Sequence, residues 1–174
     1  MKVIVVGLGV QGAKRRAAAG RDYVASVDAV KGEADYRALE DVPPGRYDAA
    51  LVCTPDAPKV ALLEYLLARG KHVLVEKPLW AERDEDLRRL ESIAREKNAV
   101  CYTAYNHRFE PHYVRMREAI AGGRLGRLYH CRMFYGNGTA RLVRESAWRD
   151  TGAGVLPDLV LKKIDAVERQ TKYT

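Results

Sequence analysis

The sequence predicts an α/β fold in which a doubly wound parallel sheet is covered by helices on both faces. Over residues 1–121, short β-branched runs alternate with segments of helical periodicity, a pattern typical of parallel strands joined by crossover helices. A glycine-rich turn, Gly7–Gly12, directly follows the first run. The length of 174 residues suits one such domain and part of another. We therefore predict a first domain over 1–121, and then a fragment, 122–174, too short for a complete second domain.

Five strands of this sheet are predicted from short apolar runs. They are Lys2–Val6, Tyr23–Val27, Ala49–Thr54, His72–Val75 and Val100–Tyr105. Continuous β-branched runs such as the first are expected of strands buried on both faces. Pro55 stops the third strand and Pro78 follows the fourth. A further segment, Leu128–Tyr135, alternates apolar and polar residues, which predicts a strand of a different sheet.

Four helices are predicted between and after these strands. They cover Gln11–Ala19, a segment built on Val60, Leu63, Leu66 and Leu67, then Glu82–Lys97 and Pro111–Ala121. Gly20 and Gly70 are placed to end the first and second helices. The third is charged and amphipathic, with Leu87 and Leu90 on its apolar face. Val30–Leu39 is predicted to be loop and a weak helix, which the prolines after it break off.

The turn Gly7-Leu-Gly9-Val-Gln-Gly12, between a strand and a helix, predicts a dinucleotide site. The first glycine permits the tight turn, the second lets a pyrophosphate approach the backbone, and the third allows close helix–strand packing. N–H groups at the helix start, including those of Val10 and Gln11, would meet the phosphates at the positive end of the helix dipole. The plain alternative is a glycine-tolerant turn in an α/β protein that binds no nucleotide.

Asp28 favours the nucleotide interpretation, because it lies 21 positions after Gly7 at the end of the second strand. A carboxylate there accepts hydrogen bonds from the adenosine ribose hydroxyls and repels a 2′-phosphate, which favours NAD over NADP. Lys31 nearby weakens that preference, so NADP stays as the alternative cofactor. A methyltransferase that binds S-adenosylmethionine shares the layout, but such sites usually have a shorter glycine spacing and no third glycine.

Polar residues at the next two strand ends are candidates for the same site, because ligands of open α/β sheets bind beyond the carboxyl ends of strands. Thr54, followed by Pro55, either lines the cofactor groove or caps the next helix. Glu76 and Lys77 end a buried strand with two charges before a proline. Lys77 could present its ammonium to a substrate hydroxyl or to a nicotinamide ribose. The plain alternative for this pair is a solvated ion pair at the surface.

The fifth strand leads into a second cluster of polar side chains. Arg108 is a candidate to bind a carboxylate or sugar hydroxyls, and Asn106 or His107 to reach the substrate. Two plain alternatives stay open: Arg108 pairs with Glu110, and His107 is structural.

Charge and composition bear on the class of protein. The net charge is +7, and residues 1–121 carry 20 basic against 18 acidic residues, so the excess lies mainly in 122–174. It consists of scattered arginines without the aromatic-interleaved tracts of single-strand binders, so nucleic acid is not expected and an anionic cofactor or substrate explains the charge. The hydrophobic fraction of 47% excludes a wholly disordered chain.

Cysteine usage and hydropathy predict a cytoplasmic location. Cys53, Cys101 and Cys131 are odd in number and widely spaced, without a C-x-x-C pair, so we expect reduced thiols and neither a disulfide framework nor a metal site. No apolar run reaches the roughly 18–20 residues of a membrane span, and the N-terminus has no signal-peptide pattern. A soluble, non-secreted protein without membrane partners is the expectation.

Taken together, these segments resemble the Gfo/Idh/MocA family of NAD(P)-dependent oxidoreductases (glucose–fructose oxidoreductase, inositol dehydrogenase and rhizopine catabolism). The matching segments are Val3–Gly12, Thr54-Pro55, Gly70-Lys-His-Val-Leu-Val-Glu-Lys-Pro78, Asn106-His-Arg-Phe-Glu-Pro111, Ile120-Ala-Gly-Gly-Arg-Leu-Gly126 and Trp148-Arg149. The resemblance covers nearly all of residues 1–159, and the Gly70–Pro78 segment is its most specific part.

The resemblance implies a Rossmann domain followed by an α+β domain with a large, mostly antiparallel sheet. That sheet binds sugar or cyclitol substrates and often makes the oligomer, which allows a homo-oligomer here. Members move a hydride between a substrate carbon and nicotinamide C4, and the lysine that matches Lys77 contacts the reacting hydroxyl. The chemistry belongs to the cofactor, while the protein orients it and moves the proton.

One motif departs from the family pattern. Members carry D-x-G-x-H-x-x-D/N in the second domain, with the histidine commonly an acid/base. Here Asp158 enters that motif as a candidate substrate ligand, but Val160 replaces the glycine and Lys162 the histidine. A lysine base at Lys162 is chemically feasible. We expect instead that Val160–Thr174 is an out-of-family ending from a frameshift, a truncation or an incomplete gene.

The sequence therefore predicts an NAD-preferring oxidoreductase that acts on a sugar or cyclitol, with Lys77, His107 and Lys162 as candidate catalytic residues. The alternative is a catalytically inactive, truncated dinucleotide-binding module.

Overall fold

The computed structural model describes residues 1–79, 81, 83–130 and 132. The strands are β1 (Val3–Val6), β2 (Tyr23–Val27), β3 (Ala49–Val52), β4 (His72–Val75) and β5 (Cys101–Thr103). The helices are α1 (Val10–Ala19), α2 (Lys59–Ala68), α3 (Asp84–Glu96) and α4 (Pro111–Ala121). The chain divides into two compact units, Met1–Ala104 and Tyr105–Thr174. The boundary expected after residue 121 stays a prediction.

All five strands pair in parallel, in the order β2-β1-β3-β4-β5. Tyr36 adds a single parallel bridge to Val27 on the free side of β2. Counting that bridge as a one-residue strand gives the order 3-2-1-4-5-6 of the dinucleotide-binding fold. The predicted doubly wound parallel sheet is confirmed.

The core lies on both faces of this sheet, as the apolar composition of the strands predicts. All four residues of β1 are buried, and α2 contributes Leu63, Leu66 and Leu67, each fully buried. From α3, Leu90 is buried but Leu87 is exposed, so the apolar face of that helix is narrower than predicted. The buried core residues are Ile4, Val6, Ala25, Val27, Leu39, Val42, Tyr47, Ala50, Val52, Leu63, Leu66, Leu67, Val73, Val75 and Leu90.

The weak helix predicted within Val30–Leu39 is wrong. The segment follows the edge of β2, where the N–H of Tyr36 donates to Ser26 O at 3.0 Å and the N–H of Asp28 donates to Tyr36 O at 3.1 Å. The Asp35 carboxylate also accepts from the N–H and Oγ of Ser26, both at 2.8 Å. Pairing with the sheet edge therefore replaces helical hydrogen bonding.

Two strands are shorter than predicted because their neighbours end. In β3, Ala49–Val52 pairs with Val3–Val6 on one side and with His72–Val75 on the other. Beyond Val52, β1 has already entered the glycine turn, so the ladder stops two residues before the predicted end. Likewise, β5 is limited to the three residues that pair with β4.

The second unit is described through Arg132, apart from residue 131. A short 3₁₀ helix, Asn106–Phe109, precedes α4, which has Pro111 in its first turn as predicted. Of the strand predicted over Leu128–Tyr135, the described residues are not in a strand, and the rest lies outside the described residues. Across the described part of the chain, no helix is long and apolar enough to cross a membrane.

Candidate nucleotide-binding site

Four strands of the first unit lead into predicted cofactor residues at one edge of the sheet. β1 runs into Gly7, β2 into Asp28, β3 towards Thr54 and β4 into Glu76. These strands are adjacent in the order β2-β1-β3-β4, so their carboxyl ends span roughly 14 Å at a strand spacing of about 4.8 Å. The parallel topology therefore brings together residues that are far apart in the sequence.

The geometry of the turn requires glycine at Gly7 and Gly12. Gly7 has a φ of +92°, and a Cβ there would lie 3.0 Å from the Cys53 backbone. A Cβ on Gly12 would lie 1.9 Å from the carbonyl oxygen of Gly7. The N–H of Gly7 donates to Val27 O at 2.8 Å, which ties the turn to β2.

Gly9 differs from the other two glycines, since no protein atom within 4 Å would contact a Cβ on it. It is the N-cap of α1, whose first turn has no side-chain cap and no acidic residue. Val10 and Gln11, in that first turn, are exposed. The free space and the first-turn N–H groups suit a pyrophosphate.

Asp28 links the end of β2 to the glycine turn, a role that sequence reasoning missed. One carboxylate oxygen accepts from the Leu8 N–H at 2.7 Å, and the other from the N–H groups of Val30 and Lys31, both at 2.9 Å. Burial opposes ionisation, but these hydrogen bonds and the Lys31 charge outweigh it, so the pKa of Asp28 lies below its ordinary value. A carboxylate has about four acceptor positions, so one remains for a ribose hydroxyl.

Thr54 provides the clearest test of whether the site fits a cofactor. Its Oγ1 is buried and is the one side-chain polar atom of the described residues found buried without a hydrogen-bond partner. The helix-cap alternative is wrong, because α2 begins at Lys59 after the N-cap Pro58, with no side-chain cap. A buried hydroxyl without a partner beside Pro55 suits a groove that a ligand completes. The residues of this edge therefore fit NAD.

Glu76 forms a buried ion pair with a helix, in contrast to the solvated pair considered above. Its Oε1 lies 2.7 Å from Nε and 2.6 Å from Nη2 of Arg15 on α1. The Glu76 residue is 8% exposed, so the carboxylate needs this partner. Arg15 was not predicted from the sequence, because a separation of 61 residues gives no local signal.

Lys77 follows Glu76 and joins Pro78 through a cis peptide bond. The Pro78 carbonyl accepts from the ammonium of Lys59 at 2.6 Å, and Asp56 Oδ1 lies 2.7 Å from the same ammonium. Lys59 was also not predicted as a buried residue, although its spacing in the sequence indicates burial. It precedes Leu63, Leu66 and Leu67 by four, seven and eight positions, and so lies on the apolar face of α2.

The two described thiols are free cysteines at partly buried positions, and neither is a candidate nucleophile. Burial, with the Glu76 charge, raises the pKa of Cys53 to about 12, and burial raises the pKa of Cys101. Among the described residues, no group of three potential ligands could hold a metal ion.

The remaining predicted residues belong to the second unit, which is described by itself. His107 Nδ1 lies 2.6 Å from Glu110 Oε1, so Glu110 pairs with His107. The alternative that Glu110 also pairs with Arg108 stays open. The Arg108 guanidinium lies 5.2 Å from the centre of the Tyr105 ring. Asn106 begins the 3₁₀ helix. The candidates Asp158 and Lys162 lie outside the described residues.

A glycine turn between strand and helix, an acid at the end of β2 and a buried unpartnered hydroxyl beyond β3 define a dinucleotide-binding domain of the Rossmann type. The model of a family described as an oxidoreductase family with an NAD-binding Rossmann fold matches residues 5–105. The chain belongs to this family, the Gfo/Idh/MocA oxidoreductases, and its cofactor is NAD. The predicted resemblance and cofactor are confirmed.

Curated relatives within this family include dehydrogenases and a reductase. The chain is 32% identical to inositol 2-dehydrogenase 1 of Saccharopolyspora erythraea, over 75% of this chain and 45% of that protein. It is 30% identical to inositol 2-dehydrogenase of Rhizobium meliloti over 59% and 28%, and 36% identical to 1,5-anhydro-D-fructose reductase of Ensifer adhaerens over 56% and 30%. The chain thus spans less than half the length of each.

Solved structures share the fold. Scyllo-inositol dehydrogenase from Lactobacillus casei, with bound NAD(H) and scyllo-inositol, is 22% identical with a TM-score of 0.80, over 99% of this chain and 56% of that one. A myo-inositol 2-dehydrogenase from Lactobacillus plantarum is 15% identical with a TM-score of 0.77, over 99% and 56%.

Proposed function

We propose that this protein is an NAD-dependent oxidoreductase that transfers a hydride between the nicotinamide and a carbon bearing a sugar or cyclitol hydroxyl. The observation that carries the proposal is the position of Lys77, the second residue after β4, a strand two places from β1 and its glycine turn. At a spacing of about 4.8 Å, the two strand ends are roughly 10 Å apart. At that distance, one extended dinucleotide can place its pyrophosphate on the glycine turn and its nicotinamide half beside the Lys77 ammonium.

Within this proposal, each residue of the sheet edge has a defined role. Gly9, Val10 and Gln11 bind the pyrophosphate through their N–H groups, and Asp28 accepts from the adenosine ribose. Thr54 donates its hydroxyl to the bound cofactor beside Pro55. Bound NAD supplies the hydride acceptor. Lys77 contacts the reacting hydroxyl and moves its proton.

The second unit would supply further substrate contacts. Asn106 and Arg108 bind substrate hydroxyls, as does Asp158. His107, held by Glu110, and Lys162 are candidates for the acid/base that relays the proton. The polyol class is supported by the names of the relatives, two of which are inositol dehydrogenases.

A second candidate function is a nucleotide-binding module without turnover. It is favoured by one observation, the lysine at Lys162 where the family motif has a histidine. This module would bind NADH at the same sheet edge but would reduce no NAD in the presence of a polyol.

Fluorescence titration with NADH, followed by turnover assays with NAD and a panel of cyclitols and sugars, tests both candidates. We expect NADH binding and polyol-dependent NAD reduction, and Lys77→Met lowers kcat by about 10²–10⁴-fold while ADP still binds. Lys97→Met, at an exposed position after α3, is the matched control and keeps full turnover. Binding without turnover across the panel would establish the second candidate, and absence of NADH binding would eliminate both.

We also propose a cytoplasmic protein that forms a homo-oligomer and binds neither nucleic acid nor membrane. The free thiols of Cys53 and Cys101 are typical of a reducing compartment and support the first part. Sedimentation of the purified chain, with and without NADH, tests the oligomer.

A further inference from the structure

Lys59 is a buried charge that the proposed chemistry does not use. The residue is 1% exposed, in the first turn of α2. Its ammonium lies 2.7 Å from Asp56 Oδ1 and donates to the Pro78 carbonyl at 2.6 Å. A buried ammonium is costly unless it is paired and hydrogen-bonded, so both contacts are needed to hold it there. The charge therefore joins the start of α2 to the segment that follows β4.

Arg15 makes a corresponding contact on the other side of Lys77. Its guanidinium binds the Glu76 carboxylate through Nε and Nη2 at 2.7 and 2.6 Å. The Glu76 N–H also donates to Val52 O at 2.8 Å, so this residue is held by backbone and side chain. Residues 76 and 78 are thus each bound by a basic side chain from a different helix, and Lys77 lies between them.

We infer that Lys59 and Arg15 are positioning residues that fix the backbone on both sides of Lys77 and so aim its ammonium at the nicotinamide half of the dinucleotide. The inference rests on the proposed function for the role of Lys77, but the fixing of residues 76–78 stands independently of it. Lys59 acts through the Pro78 carbonyl, and Arg15 acts through the Glu76 carboxylate.

Lys71 shows what a merely structural lysine does in this fold. Its ammonium donates to the carbonyls of Pro44 and Tyr47, both at 2.7 Å, just before β4 begins. Lys71 therefore binds two backbone groups, as a stability role requires, but at the edge of the sheet opposite to the nucleotide site. A change at Lys71 lowers stability without reaching Lys77, which makes Lys71→Met the matched control.

The first experiment measures amide hydrogen exchange in the full chain, followed by mass spectrometry on overlapping peptides that isolate residues 75–79. Loss of a charge-assisted hydrogen bond in Lys59→Met is expected to speed exchange of these amides about tenfold, while the segment keeps its wild-type rate in Lys71→Met. Equal rates in wild type and Lys59→Met would overturn the inference, whatever the function of Lys77.

The second experiment compares affinities for NADH and for ADP, which lacks the nicotinamide and its ribose. In Lys59→Met and in Lys77→Met we expect NADH binding to weaken about tenfold and ADP binding to stay within about twofold. Equal losses for both ligands in Lys59→Met mean a general structural role and overturn the positioning of Lys77. An unchanged NADH-to-ADP affinity ratio in Lys77→Met overturns the aiming of Lys77 at the nicotinamide half. The role of Lys77 in proton transfer is judged separately, by the turnover of Lys77→Met, so a failure of the inference and a failure of the proposed function are distinguished.

Where Lys59→Met does not fold, Arg15→Met provides the same two readouts from a partly exposed position. The expected result is again faster exchange over residues 75–79, with a loss specific to NADH. Wild-type exchange in Arg15→Met would overturn the inference.

Discussion

The three glycines of the nucleotide turn are required for different physical reasons. Gly12 is constrained by packing, because a Cβ would overlap the Gly7 carbonyl oxygen at 1.9 Å. Gly7 is constrained by a φ of +92° and by the approach of the Cys53 backbone, just after β3. Gly9 has a φ of −68° and open space beside it, so nothing in the protein itself requires glycine there. Under the proposed function, it is the volume of a bound pyrophosphate that requires glycine there.

Substitutions at Gly12 and Gly9 should therefore have different effects: one on stability, the other on cofactor binding. We expect Gly12→Ala to lower the free energy of unfolding by about 1–3 kcal/mol, because the backbone must shift to admit the methyl group. Gly9→Ala keeps the wild-type melting temperature but weakens NADH at least about tenfold, because the methyl group occupies phosphate space. Thermal melts and NADH fluorescence titrations measure the two effects.

Gly32→Ala is the control for both variants, since a Cβ there meets nothing within 4 Å and its φ is ordinary. It should leave both melting temperature and NADH affinity near wild type. A Gly9→Ala protein that binds NADH as tightly as wild type would contradict the assignment of Gly9 to the pyrophosphate.

At the scale of elements, the segment that follows β2 depends on one carboxylate. Asp35 accepts from the N–H and Oγ of Ser26 at 2.8 Å and from the Tyr23 hydroxyl at 3.0 Å. Ser26 is fully buried, so its polar groups need this partner. The Ser26 side-chain and backbone hydrogen bonds, with smaller help from Tyr23 and Arg16, outweigh desolvation and lower the pKa of Asp35 below its ordinary value.

The lowered pKa predicts how stability depends on pH. A carboxyl whose pKa is lower in the folded state stabilises the fold fully above its unfolded pKa, and that contribution is lost as pH falls through the folded pKa. We expect Asp35→Asn to cost about 1 kcal/mol at pH 7, and the difference in stability from wild type to narrow as pH falls through the pKa of the folded state. Denaturant unfolding at a series of pH values measures this.

Asp22→Asn is the matched control, because Asp22 is exposed and pairs only loosely with the N-terminal amine at 3.5 Å. Its effect should stay within about 0.5 kcal/mol. If the cost of Asp35→Asn did not shrink between pH 7 and the acid limit of the folded protein, the carboxylate charge would not be what holds this segment.

At the scale of the whole molecule, ligand binding should report on the first unit. Ligand that binds only the folded state adds about 2.7 kcal/mol to unfolding at a concentration of one hundred times Kd. We expect NADH to raise the melting temperature by a corresponding amount. NADPH should need a concentration at least about tenfold higher than NADH to give the same shift, because the Asp28 carboxylate repels a 2′-phosphate. Thermal shift assays measure both.

The same assay tests the charge of +7. A single-stranded oligonucleotide at about 0.15 M salt should leave the melting temperature unchanged, since scattered arginines give weak, salt-sensitive attraction. Stabilisation by the oligonucleotide larger than that by NADH would point to nucleic acid as the natural ligand. Equal shifts with NADH and NADPH would remove Asp28 as the determinant of cofactor choice.

Local sequence pattern was enough to predict most of the secondary structure of residues 1–121. The bounds of β2, β4 and α4 follow from apolar runs and their terminating residues, because burial of both faces leaves a signal within a few positions. Gly7 and Gly12 were predictable because the geometry of the turn restricts the residue types allowed there. Asp28 was predictable from its spacing to Gly7 and its position at the end of a strand. The Gly70–Pro78 segment was readable through its resemblance to a family.

Tertiary structure alone decided the contacts that join distant segments. Arg15 on α1 contacts Glu76, 61 residues away in the sequence, and Lys59 on α2 contacts Pro78, 19 residues away, because the sheet order brings both helices next to the end of β4. Asp35 prefers the edge of β2 to a helix because buried Ser26 needs its carboxylate. Periodicity reports which face of an element is buried. It does not report which charged side chain of another element a given residue contacts. That depends on the order of the strands, which is set only when the sheet forms.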